Sequence, residues 1–119
     1  MNVALTRPTK LRTPETQARY ALAEKDPDFI TKAPAIRTFP NWKIIVASYP
    51  YDAIATTHHL LCPKRRFAQI EEATYTELKE LLAIQHTIEN DYDACQLNFP
   101  KTQSLPAHLH YHLLIYEIL

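Results

Sequence analysis

Apolar and polar positions alternate through HLHYHLL, His108 to Leu114, with a histidine at every second place and Leu109, Tyr111 and Leu113 between them. Side chains two apart in a strand share a face, so the pattern predicts a strand over His108–Ile118. Three imidazoles line one side of it and an apolar anchor the other. Three further runs read as strands. WKIIVAS, Trp42 to Ser48, is rich in β-formers; HHLLCP, His58 to Pro63, stops at a proline; and DACQLNF spans Asp93 to Phe99. The first two can pair as a hairpin across YPYDAIATT.

Helical spacing appears twice. Thr74-Tyr75-Thr76-Glu77 matches a capping box, and Leu78, Leu81, Leu82, Gln85 and Ile88 trace one face behind it. Together they predict a core-packing helix from Tyr75 to about Asn90. Thr13 to about Lys25 has a capping threonine, a first-turn proline and an early acid, with a thin apolar face of Tyr20, Ala21 and Ala23. Pro27, Pro34 and Pro40 punctuate a loop region after it. Met1–Lys10 has no periodicity and reads as an arm, poorly ordered or docked. The order helix, strand, strand, helix, strand, strand predicts an α+β fold with helices on an antiparallel sheet.

Composition narrows the classes. A chain of 119 residues fits one domain, here 1–119, with 1–40 as an N-terminal arm and helix. Thirteen basic residues balance thirteen acidic ones, which argues against a coat for nucleic acid or an anionic membrane and leaves room for a local basic pocket. No signal-peptide pattern and no apolar run of membrane length is present. Cys62 and Cys95 form no CxxC pattern. The expectation is a soluble cytoplasmic protein with two free, buried, inert thiols. The chain has no glycine at all, which removes every glycine-rich phosphate loop. Phosphate would have to be held by side chains and non-glycine amides, and the nine prolines take over turn formation.

Three imidazoles on one face admit three readings. A central histidine can attack phosphorus while its neighbours supply charge and protons; two or three can ligate a metal such as zinc; or all are structural. A lone histidine is most often structural. Three together need several satisfied hydrogen bonds when buried, which disfavours that reading here.

HLHYHLL resembles the His-φ-His-φ-His-φ-φ signature (φ apolar) of the histidine triad superfamily of nucleotide hydrolases and transferases. HHLLCPKRRFAQI resembles that family's His-x-x-x-x-Pro-Lys-x-His strand and turn. Asn98 followed by Gln103-Ser104 resembles its Asn…Gln-Ser/Thr segment. The three pieces occur in the family's order and cover about Trp42 to Tyr116. The resemblance implies a five-stranded antiparallel sheet and a homodimer paired through the Tyr75–Asn90 helix. It implies a nucleotide or nucleotide conjugate as ligand, with no cofactor and no metal.

By the same resemblance His110 is the nucleophile, forming a covalent nucleotidyl-histidine at the α-phosphorus. His108 and His112 orient and stabilise the phosphate, and His58 supports the row. Gln103 and Ser104 contact the scissile linkage, and Asn98 contacts phosphate or organises the site. Ser48 and Asp52 are the candidates for ribose contact. His59 falls on the opposite face. The sequence departs from the family pattern at Arg66, which stands where a histidine is usual. It departs again in the connection from Gln103 to His108, which carries Pro106 and is one residue longer, and in lacking a glycine before Gln103. Two alternatives remain open: a nucleotide-binding module without turnover, and a histidine-ligated metal-binding protein.

Overall fold

The computed structural model describes residues 11–117. The arm read over Met1–Lys10 and the strand end at Ile118 lie outside them. Five strands form one antiparallel sheet: β1 (Arg37–Thr38), β2 (Trp42–Val46), β3 (Ala55–Pro63), β4 (Ala94–Gln96) and β5 (Tyr111–Tyr116). Their order is β1-β2-β3-β5-β4. Among the described residues three α-helices accompany them: α1 (Pro14–Leu22), the single-turn α2 (Phe29–Lys32) and the long α3 (Tyr75–Ile88). No helix among the described residues is long and apolar enough to cross a membrane.

The sheet has two different faces, and the register shows how the sequence divides between them. β3 and β5 pair with Leu61 opposite Tyr111 and Leu60 opposite His112. Leu61 therefore points to the α3 side with Trp42, Ile44, Leu109 and Leu113, where Leu81, Ile84 and Ile88 of α3 close the main core. Burying one such leucine removes enough apolar surface to contribute about 1.5–3 kcal/mol. Leu60 points the other way and joins Ile30, Ile45, Ala47 and Cys62 in a smaller cluster. His58, His110 and His112 stand on this second side.

Capping and polar ties fix α3 on its side of the sheet. The Thr74 hydroxyl accepts from Glu77 N at 3.1 Å, and the Glu77 carboxylate accepts from Thr74 N at 2.8 Å, the reciprocal pattern of a capping box. Glu77 also receives Arg65 in a fork of 2.8 and 3.2 Å, which, with desolvation opposing, holds its carboxyl below the usual glutamate range. The indole N–H of Trp42 donates to Glu77 O at 3.0 Å, and Asn41 donates twice to the Glu80 carboxylate.

Several sequence expectations need correction. The buried stripe of α3 is Glu77, Leu81, Ile84 and Ile88; Leu78 and Leu82, expected on that face, are exposed. A stripe advancing by four, three and four residues can hold only one edge of a broad leucine pattern. β5 begins at Tyr111 rather than His108, because His108 N bonds to Leu105 O and Leu109 N to Phe67 O before the ladder starts. β3 begins three residues before His58, whereas β2 and β4 are shorter than expected. Cys62 is buried as expected; Cys95 is exposed on edge strand β4. The two helices end earlier than their patterns suggested, at Leu22 and Ile88.

Candidate functional site

A cavity of ≈ 200 Å³ opens on the second face of the sheet. His58, His110 and His112 form its polar wall, and Phe29, Ala47, Leu60 and Leu105 form an apolar one. Ser48 and Ser104 reach it from two loops. Residues from the N-terminal segment, Arg12 and Tyr20 among them, close the remaining side.

The imidazoles are packed in a row. Ring centres of His110 and His112 lie 5.1 Å apart, and those of His112 and His58 5.0 Å apart. Tyr51 is stacked on His112 at 5.1 Å and tilted over His58 at 4.3 Å. All four histidines of the cluster, His108 included, are at most 5% exposed. Burial is the leading cause that lowers every one of their pKa values. His58 is pushed down to about 4 and His112 to about 3, with the Arg12 charge and neighbouring imidazoles adding to the desolvation.

The hydrogen bonds assign each ring proton. Tyr51 N donates to His58 Nδ1 at 3.0 Å, so the neutral ring carries its proton on Nε2. That N–H donates to His112 Nδ1 at 2.8 Å. His112 must then bear its own proton on Nε2, which lies 3.2 Å from the side-chain amide of Asn98. One of the two flips of that amide supplies the acceptor required. Adding a proton to either ring would set two donors against each other, which is the geometric reason the pair stays neutral. His110 is independent of this chain. Its Nδ1–H donates to His108 O at 2.9 Å, which leaves the Nε2 lone pair free.

The remaining predicted residues are distributed as follows. Ser48 and Ser104 line the cavity. Asn98 sits behind it, against His112 and 3.1 Å from the Tyr51 hydroxyl. Gln103 turns its Nε2 onto Asn98 O at 2.9 Å and bonds the loop together. His108 is displaced from the cavity wall and directs Nε2 at Pro63 O, 2.8 Å away; its Nδ1 is buried without a partner among the described residues. Asp52 also lies away from the cavity. Its carboxylate accepts from Thr13 N at 2.8 Å and from the Thr16 hydroxyl at 2.5 Å, clasping the start of α1. Arg66 pairs with Asp28 at 2.8 Å and Pro27 O, tying the turn after β3 to the segment before α2. His59 points to the α3 side and bonds the Tyr92 hydroxyl at 2.6 Å.

The sequence reading missed Arg12, Tyr20, Phe29 and Tyr51. No motif covers the first three. The aromatic run around Pro50 was the one available hint for Tyr51. Among the described residues, no group of three or more His, Cys, Asp or Glu side chains is placed to hold a metal ion.

No family model and no curated protein matches the sequence. Solved structures do. A HIT family hydrolase from Legionella pneumophila Philadelphia 1 is 22% identical over 72% of this chain and 87% of that one, with a TM-score of 0.51. A HIT family hydrolase from Clostridium thermocellum is 19% identical over 77% and 88%, with a TM-score of 0.52. A histidine triad protein from Clostridium difficile is 16% identical over 97% and 96%, again with a TM-score of 0.52. The α+β arrangement, a five-stranded antiparallel sheet with one long helix and a short N-terminal one, is thus the histidine triad-like fold.

Proposed function

We propose that this chain hydrolyses or transfers nucleotidyl groups, with His110 as the nucleophile at the α-phosphorus of a nucleotide conjugate. One observation carries the reading: His110 Nδ1 is committed to His108 O, so the opposite nitrogen keeps its lone pair at the cavity wall. Burial favours its neutral form, the form that can attack.

The first step forms a bond from His110 Nε2 to phosphorus and breaks the bond from phosphorus to the leaving group, which takes a proton as it departs. The second step reverses the exchange. Water, or another hydroxyl acceptor, gives up a proton and bonds to phosphorus as the P–N bond breaks, releasing a nucleoside monophosphate or its ester. Both serines line the cavity; in this reading Ser104 donates to the phosphoryl oxygens and Ser48 serves the sugar. The apolar wall of Phe29, Leu60 and Leu105 suits a base. His112, His58 and Asn98 hold the row in register, and His108 carries the carbonyl that orients His110.

The HIT family hydrolases sharing the fold support a hydrolytic role. A homodimer is part of the proposal: Tyr75, Leu78 and Leu82, one stripe of α3, are all exposed and would be covered by a second copy.

Replacing His110 with alanine is expected to reduce turnover of dinucleoside polyphosphates or nucleoside phosphoramidates by about 10³-fold or more, since nucleophile removal is among the costliest single changes. Mass spectrometry of the wild-type chain quenched in acid-free denaturant should find a nucleotidyl adduct on His110. Undiminished turnover by the His110→Ala variant would overturn the assignment.

A further inference from the structure

We propose that Arg12 binds a second anionic group of the substrate, which makes polyphosphate-type nucleotide conjugates better ligands than those carrying a single phosphate. The inference rests on the nucleotide reading above and names the substrate class within it.

The row of imidazoles supplies no permanent charge, because its hydrogen-bond pattern keeps His58 and His112 neutral. Arg12 is a permanent cation in the same cavity. Its guanidinium carbon lies 4.1 Å from the centre of the Tyr20 ring and 4.9 Å from that of Tyr51. Its Nε donates to Tyr49 O at 2.8 Å. That bond fixes the side chain by one nitrogen only. Among the described residues, the terminal amino groups meet no carboxylate within 4 Å and no other acceptor. A guanidinium packed against two aromatic rings, with its terminal amino groups unmatched among the described residues, offers the fork that donates to two phosphate oxygens at once.

The backbone on both sides of Arg12 is pinned. Leu11 O accepts from Ala53 N at 3.0 Å, and Thr13 N donates to Asp52. Asp52 thereby acts on the site from a distance, by setting where residue 12 stands. Arg12 belongs to the His58 end of the row. It packs on Tyr51, which in turn covers His58 and His112 and not His110. It is therefore placed for a group beyond the reacting phosphoryl rather than for that phosphoryl itself. Two carboxylates reach the same cavity. Asp26 is matched by Lys32 at 2.9 Å, and Glu24 is flanked by Lys25, whose ammonium lies 4.8 Å from the Tyr20 ring centre.

Calorimetric titration of the full chain with adenosine 5′-monophosphate and adenosine 5′-diphosphate tests this, beside the guanosine pair. The wild-type chain should bind the diphosphate of its preferred base at least about tenfold more tightly than the monophosphate, the scale of one charge-assisted fork. Arg12→Gln should bring the two affinities together by weakening the diphosphate alone, and Arg12→Lys should keep part of the gap. Absence of the gap in the wild type overturns the proposal without any variant. So does an equal loss for both ligands in a folded Arg12→Lys chain, because that would place Arg12 on the first phosphate or on the scaffold. The adduct measurement on His110 reads turnover and not affinity: its failure beside an intact gap removes the catalytic reading and leaves the anion site standing.

Discussion

The run from Leu109 to Leu113, which leads into β5, presents two faces made from interleaved residues, and they are held by different physics. Leu113 and Leu109 enter the α3 core, where an apolar side chain of similar volume would satisfy the same non-directional burial. His112 and His110 face the cavity, where each nitrogen has an assigned role as donor or acceptor. The first face secures the strand; the second spends that security on groups that would not fold a strand by themselves. An imidazole nitrogen can be placed accurately because its neighbour one residue away is locked.

The sharpest way to break this comparison is to exchange damage between the faces. Leu113→Ala should lower the unfolding free energy by about 2–5 kcal/mol, read from the urea midpoint, because the residue is fully buried in a packed core. His110→Ala should leave that free energy within about 1 kcal/mol of the wild type while removing turnover. If the histidine variant proved the less stable of the two, the division of labour would be wrong.

Acid sharpens the contrast next. The folded His58 and His112 take up protons only at about 4 and about 3, whereas unfolded histidines do so near ~6.5. Between those limits the unfolded chain binds more protons, so stability is complete above the unfolded value and falls as pH drops from 6.5 towards 4. Urea midpoints at intervals across that range should decline steadily, and His58→Gln should flatten the slope. A midpoint that does not move would show that the folded row takes up protons as readily as the unfolded chain, against the buried neutral pair.

The smallest effect on fold is expected outside both faces. Leu82→Glu on the exposed side of α3 should change monomer stability by no more than about 0.5 kcal/mol. It should nevertheless convert the proposed dimer to a monomer in size-exclusion chromatography with light scattering. A wild-type chain that is already monomeric would remove the dimer from the account.

What could be read from the sequence follows the same division. The alternation in HLHYHLL and the capping box at Thr74 are local signals, and both led to the right elements because pattern and packing agree there. The N-terminal wall was not legible. α1 has a thin apolar face and is held by Asp52, 36 residues away from Thr16, through hydrogen bonds that no periodicity records. Asp52 itself stood out as an acid near the site, and only its contacts reveal that it serves the helix. The start of β5 was misjudged because Leu109 N finds its partner in Phe67 O, a loop residue. Leu78 and Leu82 matched a helical face in spacing, but Ile84 competes for the same core and the helix is rotated to favour it.

The run from Tyr51 through His58 and His112 has a consequence for catalysis. It begins at a peptide nitrogen, which does not release its hydrogen in the accessible pH range, so a hydrogen passed onward from His58 could never be replaced from behind. The run is a wire with one end sealed: it can hold position and polarise, but it cannot conduct. In the proposed reaction, a proton for the departing group would therefore come from the solvent side of the cavity and not through this run.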